Sequence, residues 1–288
     1  MFKLEYKRYL FSKSTLIFLL VITVISTISW GASLSERQIF IDQYYDYAHT
    51  DRWELISNFI YHYRGWSFLY NLWFNSGATA IKIYFIYAWI GVFLSSQLHA
   101  EKANRFGSLI ITRMSYKQRL HHILSTQSLY ITTIVGAYVL ISFIGSLILG
   151  GIPHGASPIG TAYYGWLAWL GIAFLQFLWL SFAFVIINAF CLLLNMWIKQ
   201  KYILQVIPFV LFVIVPTMLW PMTLNSAPAL FELISGFHVE NTMLALWFLF
   251  QDWGFDFFLR SAQTVIVATG LAAILYPLHI RKGARDYL

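Results

Sequence analysis

The side chains able to do acid–base, nucleophilic or metal chemistry are few in this chain, and their spacing is wrong for it. His121 and His122 are adjacent, so on a helix they point apart, while His49, His62, His154 and His238 lack partners at metal-ligand spacing. Asp42, Asp46, Asp51 and Glu54 crowd one segment, but their irregular intervals match no calcium loop and read as a solvated acidic face. No Gly-x-x-x-x-Gly-Lys-Ser/Thr phosphate loop, His-Glu-x-x-His pair or Gly-x-Ser-x-Gly elbow occurs, so ATP hydrolysis and the common hydrolase chemistries are not expected of this chain. Its one cysteine, Cys191, excludes an intrachain disulfide and sits in an apolar run as a structural thiol. A surface hydrolase assembled from loop Asp, His and Ser residues is the one enzymatic alternative. No metal and no cofactor are expected in the chain itself.

What remains is charge. Residues 99–128 read HAEKANRFGSLIITRMSYKQRLHHILSTQS and carry Lys102, Arg105, Arg113, Lys117 and Arg119 against one acid, Glu101. Within this stretch Leu109, Ile110 and Met114 recur near helical spacing, with Arg113, Lys117 and Gln118 on another face. That pattern predicts a short amphipathic helix at a membrane surface, on the side where positive charge collects. The plainer alternative is an ordinary basic cytoplasmic loop.

The elements around the loop are apolar. Of 288 residues 59% are hydrophobic and 11% charged, against roughly 25% charged in a soluble domain. A net charge of +7 would suit nucleic acid, but no basic cluster is interleaved with stacking aromatics; the Lys and Arg stand at the ends of apolar runs instead. A helix rising 1.5 Å per residue needs about 20 residues to cross the hydrocarbon. Six runs meet this near residues 14–31, 80–98, 129–149, 166–198, 202–220 and 261–278, and they predict an all-α integral membrane protein forming a single domain over residues 1–288. The first run is too long, and too closely followed by others, to be only a removable signal.

The connections refine the picture. Residues 2–13 can form an amphipathic helix with Phe2, Tyr6, Tyr9 and Leu10 on one face, or else a basic tail. Residues 32–78 predict an outer loop with two short helices, opened by Ser33-x-x-Glu36 and Asp51-x-x-Glu54. Lys82 falls near the outer end of the second run, where its ammonium can snorkel to water. The fourth run has no turn signal and reads as one long helix, whose Gln176, Asn188 and Asn195 either bond neighbouring helices or line a translocation path. Pro208 and Pro216 predict a disturbed fifth helix. Residues 221–260 form a broken outer segment of short helices, because the apolar piece 243–250 is too short to cross. With an even number of spans both termini share a side. The proposed inner segments hold 14 basic residues against three acids and the outer ones five against nine, which predicts cytoplasmic N and C termini.

Glu101, Gly107, the run Leu109-Ile110-Ile111-Thr112, Arg113, and Ser115-Tyr116-Lys117 resemble the loop after the second span in permease subunits of ABC-2 type transporters. The six-span layout is similar to the small stand-alone export permeases of that family in bacteria. Arg113 stands where family members more often carry a proline. The resemblance implies a multi-pass protein of the bacterial cell membrane, working as an exporter of amphipathic peptides or lipid-like molecules. It further implies a partner cytosolic ATPase that holds ATP and Mg, and a second permease, identical or a sister chain. Carried residue by residue, Gly107–Arg119 would be the coupling helix, so Glu101, Gly107, Leu109, Ile110, Arg113, Met114, Lys117 and Arg119 would contact the ATPase. A partner-binding or immunity-type membrane protein that transports nothing is the alternative.

Overall fold

A computed structural model describes residues 2–45, 76–95, 115–150, 155–156, 163–164, 166–198, 200–223, 258–259 and 262–286. Eight helices carry the argument: α1 (Phe2–Leu10), α2 (Lys13–Tyr45), α3 (Ser76–Trp89), α4 (Tyr116–Gly150), α5 (Trp166–Leu193), α6 (Lys201–Phe209), α7 (Val215–Thr223) and α8 (Gln263–Asp286). A π turn at Ile90–Ser95 extends α3, a second at Val210–Ile214 joins α6 to α7, and a 3-10 turn at Leu194–Met196 ends α5. The only strands among the described residues are β1 (Gly155–Ala156) and β2 (Tyr163–Tyr164), an antiparallel pair with Gly155 opposite Tyr164.

The chain is an all-α membrane protein. Among the described residues four helices are long and apolar enough to cross a bilayer: Tyr116–Gly145, Ala173–Met196, Lys201–Leu219 and Gln263–Gly283. Counted as one span, the pair Lys3–Leu10 and Lys13–Ser29, bent by 48°, brings the number to five. Burial is inverted relative to a soluble fold. On α2, Leu16, Ile17, Leu20, Val24 and Ile28 are exposed, while Ser26 and Ser29 are buried in line with Phe18 and Ile22. In lipid this is the stable arrangement, since apolar side chains suit hydrocarbon and polar ones need protein partners.

Several boundaries differ from the sequence expectation, each for a local reason. Helix α2 does not stop near Gly31 but continues to Tyr45, through the expected Ser33 cap. No proline interrupts it, and a lone glycine costs a helix only about 1 kcal/mol. Its start is capped: Ser12 Oγ accepts from the Thr15 amide at 3.1 Å. Helix α4 starts at Tyr116, not near residue 129, because Ser115 and Gln118 form a reciprocal capping box. The Ser115 amide donates to Gln118 Oε1 at 2.9 Å, and the Gln118 amide donates to Ser115 Oγ at 3.3 Å. Lys117 and Arg119 therefore belong to the first turn of a 35-residue helix, a correction to the expected helix Gly107–Arg119. Helix α8 likewise carries the basic stretch after Leu278 as helix to Asp286. The predicted single fourth helix is present as α5. The outer-loop stretch 46–75, the loop 96–114 and the segment 224–257 lie outside the described residues.

Two compact units divide the chain. One comprises Met1–Thr15, Ile83–Ile134 and Trp179–Leu288; the other comprises Leu16–Lys82 and Val135–Leu178. In the first, Tyr87 packs against Phe184 (ring centroids 5.3 Å) and Phe212 (5.9 Å), and Leu120, Ile123, Ile187 and Leu204 are buried. In the second, Gly136 lets α4 approach α5 closely, so that a methyl group there would stand 3.3 Å from the Phe177 ring.

Candidate functional site

The chemistry of the first unit collects where α4 begins, α5 ends and α8 passes. Tyr116 opens α4, and its hydroxyl lies 2.6 Å from His279 Nε2 on α8. The other ring nitrogen, Nδ1, lies 2.9 Å from the Leu193 carbonyl at the end of α5. A carbonyl can only accept, so Nδ1 carries a proton; in the neutral ring Nε2 then accepts from Tyr116. His279 is fully buried, and its ring stacks on that of Tyr116 at 5.8 Å. One turn on, Lys282 Nζ donates to the Met196 carbonyl at 3.0 Å and lies 5.6 Å from the centre of the Trp197 ring. A cation there satisfies a carbonyl that the helix end leaves without an amide and complements the negative end of the α5 dipole. Gly283 is the residue that lets this close, because a Cβ would overlap the Tyr116 ring. Three helices are thus fastened at one point, directly after residues 96–114.

A second fastening holds the N-terminal helix. Arg119 Nη1 donates to Glu5 Oε1 at 2.8 Å, with the Arg119 side chain 4% exposed and that of Glu5 20%. His122 Nδ1 stands 2.9 Å from Glu5 Oε2. Thr133 Oγ1 donates to the Leu129 carbonyl, so the Tyr6 hydroxyl, 2.8 Å away, donates to Thr133. Thr15 donates to the Tyr9 carbonyl and so receives the Tyr130 hydroxyl, each at 2.7 Å. The expected amphipathic helix exists as α1, with Lys3, Leu4, Lys7 and Arg8 exposed and Glu5, Tyr6 and Tyr9 turned to α4.

Between these fastenings lies a layer of amides serving irregular backbone. Pro208 has no N–H for the Leu204 carbonyl; Ser95 Oγ lies 3.0 Å from it and shares its one proton between that carbonyl and the Gly91 carbonyl at 2.6 Å. Gly91 makes the approach possible, since a Cβ there would overlap the Gln205 carbonyl. The π turn Ile90–Ser95 presents carbonyls of its own. Gln205 Nε2 donates to Val92 at 3.2 Å, Gln127 Nε2 to Leu94 at 3.0 Å, and Asn195 Nδ2 to Ser95 at 3.5 Å. Asn188 Nδ2 donates to Gln127 Oε1 at 2.8 Å, while Asn188 Oδ1 is buried without a hydrogen-bond partner among the described residues. Distorted backbone at membrane depth is tolerated only when it is satisfied in this way.

The predicted site residues therefore separate. Asn188 and Asn195 make helix-to-helix bonds within this layer, and Gln176 is buried on α5 in the other unit. Arg119 is spent on Glu5, whereas Lys117 on the same turn is exposed. Glu101, Gly107, Leu109, Ile110, Arg113 and Met114 lie outside the described residues. Sequence reasoning missed Glu5, Gln127, Gln205 and His279. Lys82, expected to snorkel, is instead fully buried 5.9 Å from the centre of the Tyr138 ring. No family model matches the chain, and no curated protein or solved structure matches it.

Proposed function

We propose that this chain is the membrane subunit of an ATP-driven exporter of the ABC-2 permease kind. It would work in the bacterial cell membrane and move an amphipathic peptide or lipid-like cargo outward. On this reading six spans cross the bilayer: the α1–α2 pair, α3 with its π turn, α4, α5, α6–α7 and α8. The α3 span comprises Ser76–Ser95, whose twenty residues rise about 30 Å. Both termini face the cytoplasm by the distribution of Lys and Arg. ATP and Mg bind a separate cytosolic ATPase, and a second permease, identical or a sister chain, completes the transporter among membrane lipids.

The observation that carries the reading is the Tyr116–His279–Leu193 junction. A loop that takes a push from a partner needs a stiff route into the helices. Here the loop ends at a capped helix start whose first side chain bonds His279 of α8, which in turn bonds the carbonyl at the end of α5. Closure of the ATPase would displace residues 96–114, and the junction would pass that displacement to α5 and α8. The helices then shift between inward- and outward-open populations, the partner's ATP supplying the free energy.

The loop residues supply the test. Arg113→Glu should leave the protein folded and inserted yet weaken ATPase association, as should joint alanine replacement of Leu109, Ile110 and Met114. Truncating a buried charge partner costs about 2–5 kcal/mol at an interface. An arginine that only meets anionic lipid is worth roughly 1 kcal/mol. Full ATPase binding and coupling in both variants would remove the coupling role. The amide layer favours the second reading, a partner-binding or immunity-type protein without transport. Its Asn188 and Asn195 are engaged in helix contacts that would not line a path.

A further inference from the structure

We propose that α1 presents a binding surface for the anionic phospholipid headgroups of the leaflet beside it. The sequence puts Tyr6 and Tyr9 on the apolar face of this helix, yet both are spent on α4. The Tyr6 hydroxyl bonds Thr133 at 2.8 Å, and the Tyr9 ring centre lies 5.4 Å from that of Tyr130. Glu5, the one acid of α1, goes the same way, held by Arg119 at 2.8 Å and His122 at 2.9 Å. These contacts fix the rotation of the helix and take its carboxylate off the opposite face. That face consists of Lys3, Leu4, Lys7 and Arg8, with Phe11 just past the helix end, all exposed. Residues three and four apart are neighbours on a helix, so Leu4, Lys7, Arg8 and Phe11 form one continuous patch. The Phe11 amide donates to the Lys7 carbonyl at 2.9 Å, which carries the helical turn as far as that ring. Lys13, also exposed, follows at the start of α2.

The chemistry of the patch matches a lipid surface. Leu4 is 74% and Phe11 79% exposed, and large apolar side chains so placed do not suit water. Three cations in nine residues do not suit hydrocarbon either. The headgroup boundary satisfies both, with Leu4 and Phe11 reaching towards the acyl chains and the Lys and Arg stems lying over them while their charged ends stay among phosphates. Because no carboxylate of α1 shares the face, its charge selects anionic over zwitterionic headgroups. A leaflet is also at hand, since the chain enters the exposed run Leu16, Ile17 and Leu20 five residues after Phe11. An acidic face on a soluble protein is the competing occupant. The surface is independent of any ATPase and stands whether or not the chain transports.

The test uses the full-length chain with Cys191→Ala and Leu4→Cys, carrying a bimane fluorophore and reconstituted in phosphatidylcholine liposomes. Doxyl-labelled phosphatidylglycerol or phosphatidylcholine, added at equal mole fraction, quenches the label according to how often each lipid lies beside it. Phosphatidylglycerol should be favoured about fivefold, the effect of one cation at an anionic surface. In 1 M salt, where the Debye length falls to about 3 Å, the preference should fall towards one. Joint Lys3→Gln, Lys7→Gln, Arg8→Gln and Lys13→Gln should remove it at low salt. A label at Ile274→Cys, exposed within α8, should report no preference in either chain. Equal quenching by the two lipids at Leu4→Cys in low salt would overturn the lipid surface and leave the acidic protein as occupant. A preference that survives 1 M salt, or that Ile274→Cys shows equally, would overturn the role of the α1 cations even if the four-glutamine chain does not fold. A folded four-glutamine chain that keeps the full preference would overturn the residues.

Discussion

The Glu5–Arg119 pair makes an asymmetric prediction. The two side chains differ in exposure, 4% for Arg119 and 20% for Glu5. Glu5→Leu takes the acceptor from a guanidinium that is only 4% exposed, and breaking a buried pair from one side costs about 3–5 kcal/mol. Arg119→Met leaves a carboxylate that still meets solvent and still has His122 at 2.9 Å, so the loss should be about 1–2 kcal/mol. Replacing both partners removes the buried charge as well, and the double variant should fall within about 1 kcal/mol of wild type. The coupling energy is then at least about 3 kcal/mol, well above the few tenths expected of independent sites. Cys191 is buried and is the only thiol in the chain, so a thiol-reactive dye reports unfolding in mild detergent without added labels. Additive losses within about 0.5 kcal/mol, or a larger loss from Arg119→Met than from Glu5→Leu, would refute the reasoning.

The other helix contacts carry their own tests. Gly283→Ala should lower the unfolding midpoint, because the new methyl displaces the Tyr116 ring at a cost of about 1–3 kcal/mol. Gly171→Ala and Gly270→Ala, where a Cβ meets nothing within 4 Å, should leave it unchanged or raise it. Asn188→Leu should cost about 0.6–1.7 kcal/mol through the lost bond to Gln127, as measured by the same dye. In a Cys191→Ala background, cysteines at Ser35, Ser157 and Ser235 should react with an impermeant maleimide in whole cells, while one at Ser108 should not; the reverse pattern would invert the topology.

The sequence shows best what local chemistry dictates. Long apolar runs announce α4, α5, α6–α7 and α8 because nothing shorter or more polar crosses lipid. Pro208 and Pro216 announce a disturbed helix because proline lacks a donor. Ser115-x-x-Gln118 was equally legible as a helix start, yet a reading that followed charge through residues 99–128 passed over it. That misjudgement put Lys117 and Arg119 on the wrong helix. Glu5 and Arg119 are 114 residues apart, and nothing local in either reports the other. Lys82 failed for a related reason: snorkelling is a property of a lone helix at an interface, and Tyr138 comes from another helix. Asn188 could be narrowed to two roles but not assigned, since its partner Gln127 lay in what the sequence presents as a loop.

The central claim is a division of labour between this chain and an ATPase. Its most direct test is whether a soluble Walker-type ATPase stays bound when the full-length chain is purified from native membranes in mild detergent, and whether joint reconstitution in liposomes changes its hydrolysis. Stoichiometric co-purification, with hydrolysis several-fold above the ATPase alone and lost in Arg113→Glu, is the predicted result. A monodisperse, folded chain that carries no ATPase, under conditions that preserve its other partners, would contradict the exporter reading and leave the partner-binding one.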